Sequence, residues 1–145
     1  MALCVCIRKR PLFHKEVSQG EIDAVSMLNP KVVVHEPKIK VDGITKYVQN
    51  FDFKFDNAYA EHEDTHAVYE YQIKDLLPKL FSQGVITVFA YGQTGSGKTF
   101  TMASATQSAC SDLFKIAPKD SKFAMSFFEI YGGKVSDLLN KKAKL

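Results

Sequence analysis

Eight consecutive residues constrain this chain more than any others. Residues 92–99, Gly-Gln-Thr-Gly-Ser-Gly-Lys-Thr, satisfy G-x-x-x-x-G-K-[ST] at every fixed position. Each position has a chemical reason. Gly92, Gly95 and Gly97 let the backbone curl so that successive N–H groups, with those of Gln93, Thr94 and Ser96 between them, turn toward phosphate oxygens. A helix starting next to Gly97 adds unpaired N–H groups and a partial positive charge. Lys98 brings a mobile cation for the outer phosphates, and Thr99 a hydroxyl for Mg²⁺. The segment before the loop, "VITVFAY" (85–91), is apolar, β-branched and aromatic between Gly84 and Gly92, which predicts a buried strand. Strand, phosphate loop and helix in that order imply an α/β fold of the phosphate-loop NTPase type, with a central, mostly buried sheet flanked by helices.

The rest of the chain supplies further elements. "ALCVCI" (2–7) reads as a short strand buried on both faces, ended by "RKRP" because Pro11 cannot continue a ladder. "KVVVHEP" (31–37) is a second strand, and "NFDFKFD" (50–56) a third, with Phe51, Phe53 and Phe55 on one face. A helix is expected from Asp64 or Thr65, with Val68, Tyr71, Leu76, Leu77, Leu80 and Phe81 near helical spacing and Gly84 as its stop. Pro78 should kink or split it. "FAMSFFEIY" (123–131) reads as a strand, "GG" as a turn and "KVSDLLN" as the start of a helix.

Composition excludes rather than selects. The net charge, 19 − 16 = +3, argues for no nucleic-acid partner beyond a nucleotide. No apolar run approaches a membrane span, and the apolar-then-basic start "MALCVCIRKR" reverses the signal-peptide order. Cys4, Cys6 and Cys110, an odd number among apolar or small residues, fit reduced thiols in the cytoplasm. There are no coiled-coil heptads, and nothing in the sequence sets an oligomeric state.

The flanks of the loop narrow the family. "FAYGQTGSGKTFTM" (89–102) closely resembles the phosphate loop of kinesin motor domains. "RKRP" (8–11) is similar to their R-x-R-P element, "FKFDNAY" (53–59) to F-x-F-D-x-x-F, and "FFEIYGGKVSDLL" (127–139) to F-x-E-I-Y…K-v-x-D-L-L, all in the family's order. The resemblance implies ATP or ADP with Mg²⁺, tubulin or microtubules as partner, and the cytoskeleton as location. It also implies that Arg8, Arg10 and Pro11 flank the adenine and that Phe100 lies near the base, whereas Glu129 and Tyr131 read as architectural. Within the family, "VVVHEPKIKVDGITKY" (32–47) looks like the extended loop of the internal-motor, microtubule-depolymerising kinesins. Its Lys40-Val41-Asp42 tip would then reach between tubulin subunits, Lys40 pairing with acidic surface and Asp42 setting the polar contacts. A solvated hairpin tip is the plainer reading of the same residues, because Asp-Gly is a common turn pair.

Two features pull against a complete enzyme or toward another one. "HEDTH" (62–66) fits H-E-x-x-H, which on a helix would give zinc ligands His62 and His66 and the general base Glu63. Its acidic setting at a helix entrance favours a loop before a helix. Hydrolysis needs more than a phosphate loop, yet no D-x-x-G, N-x-x-S-S-R or D-L-A-G-x-E occurs in the 145 residues. Asp112, Asp120 and Asp137 fall in segments read as helix or loop. The segment between Met102 and Phe123 is shorter than the family norm and lacks its usual G-I-x-P stretch. Two readings result: the ATP-binding front portion of a microtubule motor (residues 1–145, first strand through the strand and helix after the phosphate-loop helix), or a non-catalytic module that binds nucleotide or tubulin without turnover. On both, the strands 2–7 and 85–91 are expected to have open edges.

Overall fold

The computed structural model describes residues 3–145. Its architecture is mixed α/β, but the expected central sheet is replaced among the described residues by three small ones: β1–β5, β2–β3–β4 and β6–β7–β8. The first is parallel. β1 (Cys6–Arg8) pairs with β5 (Asn57–Tyr59), and the ladder is extended by Asp56 N–H to Val5 O and Lys9 N–H to Tyr59 O, both 2.9 Å. β1 is thus shorter than the run 2–7 suggested, and Ala2 lies outside the described residues. It is half-buried rather than buried on both faces, and Leu3 and Val5 before it are exposed.

The second sheet is an antiparallel meander of β2 (Val25–Leu28), β3 (Lys31–Ile39) and β4 (Lys46–Lys54). β3 contains the expected strand 31–37 and runs two residues past it, while β4 starts four residues before the expected 50–56 and ends at Lys54. Val32 and Val34 stand opposite Phe53 and Phe51, so the aromatic face is the one that covers buried Val32. Phe55 lies beyond the strand, where its N–H donates to Pro30 O at 3.0 Å. Lys40 to Ile44 form the tip of the β3–β4 hairpin, with Gly43 left-handed at φ 73°.

Helix packing provides the main core. A short helix, α1 (His14–Ser18), follows Pro11. α2 (Thr65–Gln72) starts at Asp64, whose carboxylate accepts the His66 N–H at 3.1 Å, as an N-cap should. The chain continues as a 3₁₀ segment, Lys74–Ser82, holding Pro78. Proline has no N–H for an i→i−4 bond, so the α-helix stops before it. The buried stripe is therefore Thr65, Tyr69, Ile73 and Leu77, each four residues from the last; of the expected residues Leu77 is buried, Val68, Leu76 and Leu80 are partly buried, and Tyr71 and Phe81 are exposed. Against the stripe lies α3 (Lys98–Ile116), whose Ala105 is buried and whose Ala109 and Leu113 pack beside it. Small residues on α3 let the two helices approach closely. Gly84 behaves as a stop through contact, since a Cβ there would stand 2.4 Å from Lys79 O. The left-handed residue at this end is Gln83, at φ 62°.

Three further expectations fail in whole or in part. Residues 85–91 form no ladder, and Val85, Phe89 and Tyr91 are exposed. Apolar composition favours a strand only where another strand supplies hydrogen bonds and cover, and no described strand pairs here. Of 123–131, only β6 (Phe128–Tyr131) forms. It turns at Gly132-Gly133 (φ 54° and 73°) into β7 (Lys134–Asp137), then β8 (Ala143–Lys144). "KVSDLLN" therefore begins as a strand rather than a helix, because its backbone pairs with β6 across a tight turn. Total exposed surface is 11834 Å², against about 7,500 Å² for a compact chain of this mass.

Candidate functional site

The loop expected to hold phosphate leads directly into α3, with no strand before it. Gly92, Gly95 and Gly97 take φ of 154°, 84° and 92°, values that side chains strain to adopt. A Cβ at Gly92 would meet Ser96 Oγ at 2.7 Å, whereas nothing lies within 4 Å of a Cβ at Gly95 or Gly97. Gly97 caps α3, and Lys98 is its first residue. Ser96 N–H donates to Gln93 O at 3.2 Å, closing the turn across Thr94. Lys98 Nζ donates to the carbonyls of Gly92 (2.7 Å) and Gln93 (2.8 Å), which keeps the ammonium over the loop. Thr99 is exposed one residue on.

Arg8 is brought to this helix. Its guanidinium donates to Thr101 Oγ1 on α3 (2.9 Å), to Thr65 Oγ1 on α2 (2.8 Å) and to Glu63 O (3.2 Å). It also lies 5.8 Å from the centre of the Phe100 ring. One side chain from β1 thus ties both helices together beside the loop. Thr65, Thr101 and Glu63 were not anticipated, since no motif marks the partner of a lone arginine.

Arg10 goes elsewhere. It forms a two-pronged pair with Glu16 at 2.8 and 2.5 Å, sits 4.3 Å from the Phe13 ring centre, and donates to Pro11 O. That contact, first, and the Phe13 N–H hold the Glu16 carboxyl down at about 2. Arg10 and Pro11 are therefore organised around α1, and the structure joins only Arg8 and Phe100 to the loop helix.

Lys40, Val41 and Asp42 occupy the hairpin tip. Asp42 accepts the Ile44 and Thr45 N–H groups, both at 2.9 Å, and the Thr45 hydroxyl. These bonds, the hydroxyl foremost, hold its carboxyl below the usual range. Asp42 therefore builds the turn, while Val41 and Ile44 are left fully exposed at its apex.

The H-E-x-x-H geometry is not formed. α2 begins at Thr65, so His62 and Glu63 precede it and share no helical face with His66. Glu63 Oε2 instead accepts the Ala60 N–H, and His66 lies 3.7 Å from Glu70. Among the described residues no group of three or more His, Cys, Asp or Glu is placed to hold a metal ion.

A left-handed glycine loop feeding the N-terminus of a long helix, with lysine at the first helical position, defines an anion-cradle class of site. The kinesin motor domain family model matches residues 8–145. The chain belongs to the kinesin motor domain family, and its sequence covers a motor-domain fragment.

Proposed function

We propose that residues 92–99 hold the phosphates of an adenine nucleotide with Mg²⁺, as the ATP-binding portion of a microtubule motor of the depolymerising class. The observation that carries this reading is the loop itself: three glycines at positive φ, leading to Lys98 at the start of α3. Backbone N–H groups and Lys98 would hold the phosphates, and Thr99 would offer its hydroxyl to Mg²⁺, which supplies charge neutralisation when bound. Arg8 and Phe100 would border the base. At the hairpin tip, Lys40 and Val41 would face tubulin, with Asp42 shaping the turn beneath them. The proposed setting is the microtubule cytoskeleton.

Binding of a fluorescent ATP analogue with Mg²⁺ tests the loop. Lys98→Ala should weaken it by roughly tenfold or more, the worth of a charge-assisted hydrogen bond. Unchanged affinity in Lys98→Ala would refute the assignment. Residues 1–145 alone should show no tubulin-stimulated turnover, and stimulation that Lys98→Ala removes would overturn that. Co-sedimentation with tubulin tests the tip, with Lys40→Ala expected to reduce it.

A further inference from the structure

Three donor atoms converge where β1 meets the end of α2. Cys4 Sγ and Cys6 Sγ are 3.6 Å apart, and both thiols donate to the same acceptor, Gln72 Oε1, at 3.2 and 3.0 Å. They form a triangle open to solvent on the Cys4 side, since Cys4 is exposed and Cys6 half-buried. The amide of Gln72 is held by its other end: Nε2 donates to the hydroxyl of Tyr59, a buried residue of β5. That bond turns Oε1 toward the sulfurs.

We propose that Cys4, Cys6 and Gln72 form a binding site for a thiophilic divalent cation of the zinc class, with water as the fourth ligand. A tetrahedral ion with bonds of about 2.3 Å to sulfur and about 2.1 Å to oxygen has S···S edges of about 3.8 Å and S···O edges of about 3.6 Å. The triangle already present differs from that by a few tenths of an ångström, so the donors need only open slightly. Two thiolates and a neutral amide oxygen balance a charge of +2. The Tyr59–Gln72 bond is the outer-shell contact that such sites use to orient a ligand.

Binding replaces two S–H bonds by two metal–sulfur bonds and releases two protons to solvent. The bound ion would cross-link β1 to α2 two residues before Arg8, which in turn holds α2 and α3.

Cd²⁺ titration of the reduced chain tests this, read by thiolate-to-metal charge-transfer absorbance and equilibrium dialysis. One ion per chain is expected. Cys4→Ser, an exposed substitution, and Gln72→Leu each remove a ligand and should weaken binding at least tenfold, while Tyr59→Phe, which removes the outer-shell contact, should weaken it by about 10–100-fold. Cys110→Ser and His66→Ala should leave it unchanged. No stoichiometric binding by the reduced chain, or binding that survives Cys4→Ser or follows Cys110, overturns the proposal.

Discussion

Leu77→Ala probes the packing that holds α3 in place. Leu77 is 3% exposed and joins Tyr69, Ile73 and Ala105 in one cluster. The substitution removes three carbons, about 2.4 kcal/mol at about 0.8 per carbon. A residual cavity adds to this, and buried Leu→Ala changes reach about 5 kcal/mol where nothing collapses. Here Leu80, Ala109 and Leu113 are only partly buried at the cluster's edge and are free to move inward, so a loss of about 2.5–3.5 kcal/mol is expected. Seven apolar side chains are buried among the described residues, so this loss is a large share of the total stability. Urea unfolding followed by far-UV circular dichroism gives the difference, with Leu139→Ala, exposed at 58%, as a control expected to change stability by less than about 0.5 kcal/mol. A Leu77→Ala cost no larger than that of the control would refute the helix-pair core.

Three further outcomes are expected. Glu16 has a depressed carboxyl, so its pairing with Arg10 stabilises α1 above the ordinary carboxylate range and is lost as pH falls from there through about 2; NMR titration should show this, with Arg10→Ala returning the midpoint toward 4.5. Gly84→Ala should destabilise by about 1–3 kcal/mol in thermal unfolding, since the new Cβ meets backbone that cannot rotate away. Asp42→Ala should speed hydrogen exchange at the Ile44 and Thr45 amides while leaving the β3–β4 ladder protected; unchanged exchange would show that the carboxylate does not shape the tip.

The elements legible in the sequence are those whose cause is local. β3 carries a β-branched run and β4 alternates, the two meet across a turn whose Asp42 and Gly43 supply their own geometry, and both strands form. Asp64 caps α2 with its own carboxylate, so the start of that helix is readable to within one residue, Asp64 or Thr65. "VITVFAY" carried the strongest strand pattern and formed none, because a strand's hydrogen bonds belong to its neighbours. The helix expected in "KVSDLLN" failed in the opposite way, since the glycine pair before it brings Lys134–Asp137 back onto β6. Thr65, Tyr69, Ile73 and Leu77 form one stripe at four-residue spacing, of which the apolar pattern marks Leu77, while the equally apolar Tyr71 and Phe81 are left exposed.

The same division runs through the site. The loop motif is written into eight adjacent residues, and its three glycines take positive φ although the segment leading into it is largely exposed and unpaired. Its link to the rest of the molecule is non-local: Arg8 reaches Thr101 across 93 positions and Thr65 across 57. Arg8 and Arg10 look equivalent in "RKRP", and two residues apart on a continuing strand they would share a face; they diverge because β1 ends at Arg8. Past that end the ladder no longer dictates direction, and Glu16 on α1 captures Arg10. Removing Glu16 therefore frees Arg10 without disturbing Arg8. If Arg10 has a role at the base beside Arg8, Glu16→Ala should strengthen binding of the ATP analogue, and an affinity that Glu16→Ala leaves unchanged would assign Arg10 to α1 alone.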